Sequence, residues 1–464
     1  MKHFLVVAIP PYGHLIPLLE LARRLAPFHR VTVAVSQGEV PEITRRGLVS
    51  QTDSFALFGI EDGYALLDHE KDSFDVVLKK VHALAVPGAD ALFRAMPIQQ
   101  AITDTRLHEA PRQGTVTVLD PVDVVIADLF LAAALPVLRE RGVPFHLFNA
   151  ASCNLIYALL HVSEDTPTTE GKRSTFREPF DATGPLKPMP AIQKALWLAR
   201  RKVVALSEGL IANSAFELEP RVIQALRQHP DMAGRSLHCV GPLFSWGLRE
   251  SSAEVAKIRA WLDRQPSQSV IYVSFGTMFA PTTEDLQEIV EALKGTGRPF
   301  IWSLRSTEHN RLPEHIRGEL VEPPDWSDVK GLILEWVPQN LVLQHPSISV
   351  FVSHCGWNST MESVASGVPV IAWPMGVDQR MNALDLVEKG MAVLLEGTSV
   401  TTRITVPQDK LREIIDQVAG AGLPEGTANS FREAAETWKE KFRVATSLNG
   451  SSHEALLGLV RLYQ

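Results

Sequence analysis

The chain has 464 residues, 45% hydrophobic and 21% charged, with a formal net charge of −8. That length allows two or more domains with full cores, in a composition ordinary for a soluble globular protein. The acidic balance and the lack of a basic stripe argue against a nucleic-acid partner, and no run reaches the roughly 18–20 apolar residues of a spanning helix.

Residues 4–9 form a continuous apolar run, the pattern of a buried parallel strand. The run is short, and Pro10-Pro11-Tyr12-Gly13-His14 follows with no small-residue cleavage site, so it reads as a strand and not as a signal peptide. A helix follows, with Leu15, Leu18, Leu19, Ala22 and Leu25 on one face, and then a strand at 30–35. Strand–helix–strand at this spacing argues a parallel sheet. Further strands are expected around 55–60, at 122–127 ending on Asp128, at 144–148 and at 209–212, with helical patterns between 71 and 102. Residues 163–190, rich in Thr, Pro, Gly and charge, read as a surface loop. Cys153, Cys239 and Cys355 are too scattered for a metal pair or a disulfide framework, which fits a reducing, cytoplasmic compartment.

A linker is expected at 241–255, after which the same grammar restarts. Strands are predicted at 270–275, 299–304 and 332–334, with a helix at 283–295. A final helical stretch covers 428–464. The expected organisation is a first domain over 1–240, a second over 256–445 and a terminal helix over 446–464.

The stretch 336–379 carries the densest chemistry. The apolar run 348–352 ends in Ser353-His354-Cys355-Gly356-Trp357-Asn358-Ser359-Thr360, and a helical pattern follows. Free N–H groups at a new helix start, beside His354, Asn358, Ser359 and Thr360, suit a phosphate. Ser359 and Glu362 also match the S-x-x-E capping box, which by itself explains Glu362 as a capping residue. Trp336 could be core or a stacking platform. Thr277 follows Gly276 at a strand-to-loop turn, where N–H groups can face an anion. Asp378 and Gln379 supply the acceptors and donors that sugar hydroxyls need. His14 and Asp128 each lie at the C-terminal end of a predicted strand, the edge where open α/β sheets bind ligands. They read either as a histidine base held by a carboxylate or as a cap and a turn residue.

The stretch W-x-P-Q…H-C-G-W-N-S…E…G-V-P…D-Q resembles the signature box of family 1 glycosyltransferases that use UDP-sugars, in its plant secondary-product form. Gly13-His14-Leu15-Ile16-Pro17 and Asn213-Ser214-Ala215-Phe216-Glu217-Leu218-Glu219 resemble further motifs of that family. The resemblance implies two Rossmann-like, doubly wound α/β domains facing across a cleft, the GT-B architecture. It implies that Trp336 stacks on uracil, with Val337 and Gln339 holding base and ribose and Glu362 binding the ribose hydroxyls. Gly276, Thr277, His354, Gly356, Asn358 and Ser359 would hold the diphosphate, and Trp357, Asp378 and Gln379 the sugar. A closing glutamine goes with glucose. Tyr12 replaces the glutamine often found before the Gly-His pair, and Ser349 stands where the family often has glycine. The expected packing of the last helix on the first domain also comes from the family.

The reading is an inverting glycosyltransferase that takes UDP-glucose as co-substrate, with His14 as base and Asp128 as its partner. No metal, cofactor, nucleic acid or membrane span is expected, and a monomer is. The acceptor site would use Tyr12, Phe148 and Asn149, drawing on 60–95, 149–154 and 180–200, with Phe58, Leu84 and Trp197 as walls; that favours a phenolic or lipophilic molecule. A UDP-sugar epimerase or hydrolase of the same shape is the alternative, and a non-catalytic binding protein a third. An NAD enzyme is disfavoured, since neither first-strand turn carries G-x-G-x-x-G.

Overall fold

The computed structural model describes residues 1–49, 55–64, 74–99, 114–169, 189–244, 253–323, 325–398, 404–420 and 429–464. Most of the expected surface loop and linker, 170–188 and 245–252, lies outside the described residues. The first half contributes strands His3–Val7 (β1), Arg30–Ser36 (β2), Ala56–Ile60 (β3), Gly114–Val116 (β4), Val124–Asp128 (β5), Phe145–Asn149 (β6), Gly209–Ala212 (β9) and Ser236–Cys239 (β10), while Thr168–Thr169 (β7) and Met189–Pro190 (β8) pair separately. The main sheet runs β10-β9-β6-β5-β1-β2-β3-β4, with every pairing parallel. The second half contributes Val270–Ser274 (β11), Phe300–Ser303 (β12), Gly331–Leu334 (β13), Ile348–Ser353 (β14), Val370–Ala372 (β15) and Ala392–Leu394 (β16), in the parallel order β13-β12-β11-β14-β15-β16. These are the two doubly wound sheets that the apolar runs and the resemblance lead one to expect.

Because both faces of each sheet are covered, alternate residues of one apolar strand enter different cores. In β1, Leu5 and Val7 pack on one side and Phe4 and Val6 on the other. In β11, Tyr272 and Val273 divide the same way. Ser349 has a packing role: it sits where the β11–β14 register shifts, and its hydroxyl donates to Val270 O at 2.9 Å.

Strand order fixes the ligand edge. The first sheet reverses direction of growth between β1 and β5, and the second between β11 and β14. Such switch points open a crevice at the carboxyl ends of the strands. His14 follows β1 and Asp128 ends β5; Gly276 follows β11 and His354 follows β14. The last helix, Ser451–Arg461, returns to the first half: His238 Nδ1 lies 3.0 Å from Ala455 O, and His146 Nε2 lies 2.8 Å from the Tyr463 hydroxyl.

Candidate active site

The two crevices share one cavity of about 770 Å³, lined by both halves. On the first side, helix Tyr12–Leu25 begins directly after the Pro10-Pro11 turn and presents His14 on its first turn. His14 Nδ1 lies 2.8 Å from Asp128 Oδ2, and Asp128 Oδ1 accepts from Phe130 N at 2.8 Å. The Asp128 side chain is only 1% exposed, against 23% for His14. A buried carboxylate that fixes one ring nitrogen leaves the other free to take a proton. Asp128 does cap the short helix Leu129–Ala134, but with one oxygen only.

On the second side the helix Trp357–Ser366 starts at Gly356 with no side-chain cap. Its first N–H groups are therefore available to an anion. This corrects the capping-box reading: the helix begins earlier than S-x-x-E requires, so Ser359 and Glu362 lie inside it. Glu362 instead accepts from Gln339 Nε2, which also donates to Ser359 Oγ at 2.9 Å, while Tyr272 donates to Gln339 Oε1 at 3.0 Å. Burial pushes the Glu362 carboxyl up to about 7, against hydrogen bonds from Gln339 and Asn340. Trp336 is 37% exposed at the rim, as a stacking platform must be, and Val337 lines the cavity beside it. His354 is desolvated and its pKa falls to about 4, so at neutral pH it offers a neutral ring to a phosphate and no positive charge. Gly276 and Gly356 make room for that ring: a Cβ at either would stand 2.6 Å from His354 Nε2. Thr277 lines the same wall.

The sugar candidates hold narrower roles than their side chains suggest. Gln379 Oε1 accepts from Met375 N and Gly376 N, leaving its amino group as the free end. Asp378 Oδ2 accepts from Asn382 Nδ2 at 3.0 Å. Burial raises the Asp378 carboxyl, partly offset by Asn382 and by the charge of His14 across the cavity. Val377 precedes it at φ +59°, a costly conformation for a β-branched residue and one that clusters at functional sites. The Trp357 indole is committed to Asn213 O at 2.6 Å. The Asn358 amide donates to Gly13 O at 3.1 Å and accepts from Asn213 Nδ2 at 3.2 Å. Both side chains thus tie the helix start to the first half.

The acceptor expectations need correction. Phe148 is fully buried and faces the core on the side of helix Tyr12–Leu25, since β6 sends alternate side chains to opposite faces. The Asn149 amide is spent on Ala151 O and Ser152 O. Neither lines the cavity, and nor do Phe58, Leu84 or Trp197; Ala150 and Ala151 do. Tyr12 does reach it, with the Arg46 guanidinium 4.5 Å from its ring centroid. The apolar wall comes from Val77, Val81, Phe130, Met278 and Phe279. Phe130, two residues past Asp128, was the one of these a local motif could have flagged.

A family model described as UDP-glucoronosyl and UDP-glucosyl transferase matches residues 244–417. UDP-glycosyltransferase CGT of Oryza sativa subsp. indica is 30% identical over 476 residues, covering 98% of this chain and 96% of that one. UDP-glycosyltransferase 72B1 of Arabidopsis thaliana is 32% identical over 417 residues, covering 84% and 83%. The crystal structure of TcCGT1 in complex with UDP superposes with a TM-score of 0.77 at 24% identity, covering 99% of this chain and 98% of that chain, which shows the shared fold.

Proposed function

Because the chain belongs to the UDP-glycosyltransferase family, we propose that it transfers glucose from UDP-glucose, with inversion, to a hydroxyl of a small phenolic or lipophilic acceptor. The observation that carries this reading is the His14–Asp128 pair, 2.8 Å apart, lining the same cavity as the uncapped helix start at Gly356. His14 removes the acceptor proton as the oxygen attacks the anomeric carbon; Asp128 holds the ring tautomer and stabilises the imidazolium that forms. UDP leaves on the opposite face, its charge met by the free N–H groups of helix Trp357–Ser366, by the helix dipole and by neutral His354. Trp336 stacks on the base, Glu362 takes the ribose hydroxyls, and Asp378 with the Gln379 amino group takes the sugar. For the ribose to bind, Gln339 must yield at least part of its hold on Glu362. The apolar wall favours a flat or lipophilic acceptor. An epimerase or hydrolase is not favoured, since the named relatives are transferases.

The test is His14→Ala assayed with an alkyl alcohol, whose proton needs a base. Transfer should fall by about 10²–10⁴-fold, the usual contribution of a positioned base. An unchanged rate would overturn the assignment. An acidic phenol should be less affected.

A further inference from the structure

Behind the acceptor wall lies a buried cation that the reaction above does not use. Arg200, on helix Ala191–Val204, is 5% exposed, and it makes no hydrogen bond or ion pair with any described residue. Its Nη2 atom is buried without a partner. Its guanidinium lies over the Phe130 ring, with Cζ 4.0 Å from the centroid. On the same helix, Trp197 is 3% exposed and its indole Nε1 also lacks a partner. From the facing turn Val81–Ala85, His82 Nε2 is a third such atom. Burial and then the charge of Arg200 lower the His82 pKa, so its ring is neutral near pH 7.

A buried charge without a counter-ion is costly, and proteins retain one where something pairs with it. Among the described residues, Asp128 is the one carboxylate whose charge offsets the desolvation of Arg200, and both its oxygens are engaged elsewhere, by His14 and by Phe130 N. Phe130 and Val81 both line the cavity; Arg200, whose guanidinium lies over the Phe130 ring, and His82, next to Val81 in the chain, stand behind that wall, and Trp197 lies one helical turn before Arg200. Phe130 also packs edge-on against His14, with ring centroids 4.9 Å apart. Arg200 Cζ is thus no farther from His14 than 4.0 Å and 4.9 Å laid end to end. That upper bound is within the reach of one aromatic ring with a hydroxyl at one end and an acid group at the other.

We propose that Arg200, with Trp197 and His82, forms an anion subsite behind the Phe130 wall of the acceptor cavity, and that the preferred acceptors carry a carboxylate one aromatic ring away from the hydroxyl that is glycosylated. A planar guanidinium takes a carboxylate through two parallel hydrogen bonds, and a neutral ester cannot supply the charge. Phe130 is the partition that the acceptor ring slides past. The inference rests on the acceptor hydroxyl binding at His14.

The test uses hydroxybenzoates and hydroxycinnamates, each paired with its methyl ester and titrated into the full-length enzyme saturated with UDP. At least one acid should bind the wild type tenfold or more tighter than its ester. Arg200→Met should erase that preference and leave ester affinity unchanged, and Arg200→Lys should restore part of it. If no acid outbinds its ester in the wild type, or if Arg200→Met weakens acid and ester by the same factor, the subsite is overturned and Arg200 only buttresses Phe130. Binding is read without turnover, so a failed base assignment for His14 leaves this result standing, and equal affinities leave that assignment standing.

Discussion

The carboxyl of Glu362 sits near its titration midpoint at neutral pH, because burial raises it to about 7. Ribose hydroxyls would donate to the ionised form, so binding should pull the carboxyl downward and release protons. Affinity for the nucleoside should therefore fall as pH drops below 7, by up to about tenfold per unit. Uridine is the suitable probe, since it has no phosphate to titrate. Its inhibition constant against the UDP-sugar should weaken from pH 8 to pH 6, and Glu362→Gln should flatten that profile. A profile unchanged by the substitution would separate Glu362 from the ribose. The residue's identity was legible in the sequence, but its freedom was not. S-x-x-E spacing reads equally as a cap, and only the backbone at Gly356, φ −57° and ψ 147°, shows that the helix has begun before Ser359.

At the level of elements, the uncapped helix start at Gly356 depends on two glycines packed against His354, Gly276 and Gly356, and Gly297 serves as a control for the first. Gly276 has φ +69°, and a Cβ there would meet the imidazole at 2.6 Å; Gly297 has φ +66° with nothing within 4 Å. Alanine at either position should cost about 1–2 kcal/mol from the left-handed backbone. Only Gly276→Ala should displace His354, and it should lower UDP affinity tenfold or more by calorimetry while Gly297→Ala leaves it unchanged. Equal affinities would show that His354 has room to move. The strands were readable because both faces of each sheet are buried and the runs are wholly apolar. That same uniformity hid which way Phe148 points: with no polar alternation, nothing in the sequence distinguishes its two faces. Strand order was likewise unreadable, although it is what brings β1 beside β5 and β11 beside β14.

Across the whole molecule, burial is the first cause lowering the pKa of seven histidines, His3, His29, His82, His146, His229, His238 and His354. The folded chain keeps them neutral while the unfolded chain protonates them below about 6.5, so acid favours unfolding. Glu219 and Glu362, both raised to about 7, and Asp378 and Asp385, also raised by burial, act in the opposite sense, since folded protein holds their protons where unfolded chain would not. Seven groups against four give the sign: thermal stability should fall as pH drops from 6.5 to 5, and His146, lowered to about 3, extends the loss further. A melting temperature that rises over this interval would contradict the account. The return of the chain to its own beginning has a practical corollary. Leu456, Leu459 and Val460 belong to the same core as Phe4 and Val6. A chimaera that takes its first half from one parent and its second half from another therefore needs two crossovers. The last dozen or so residues must travel with the front of the protein, or that core meets a foreign helix.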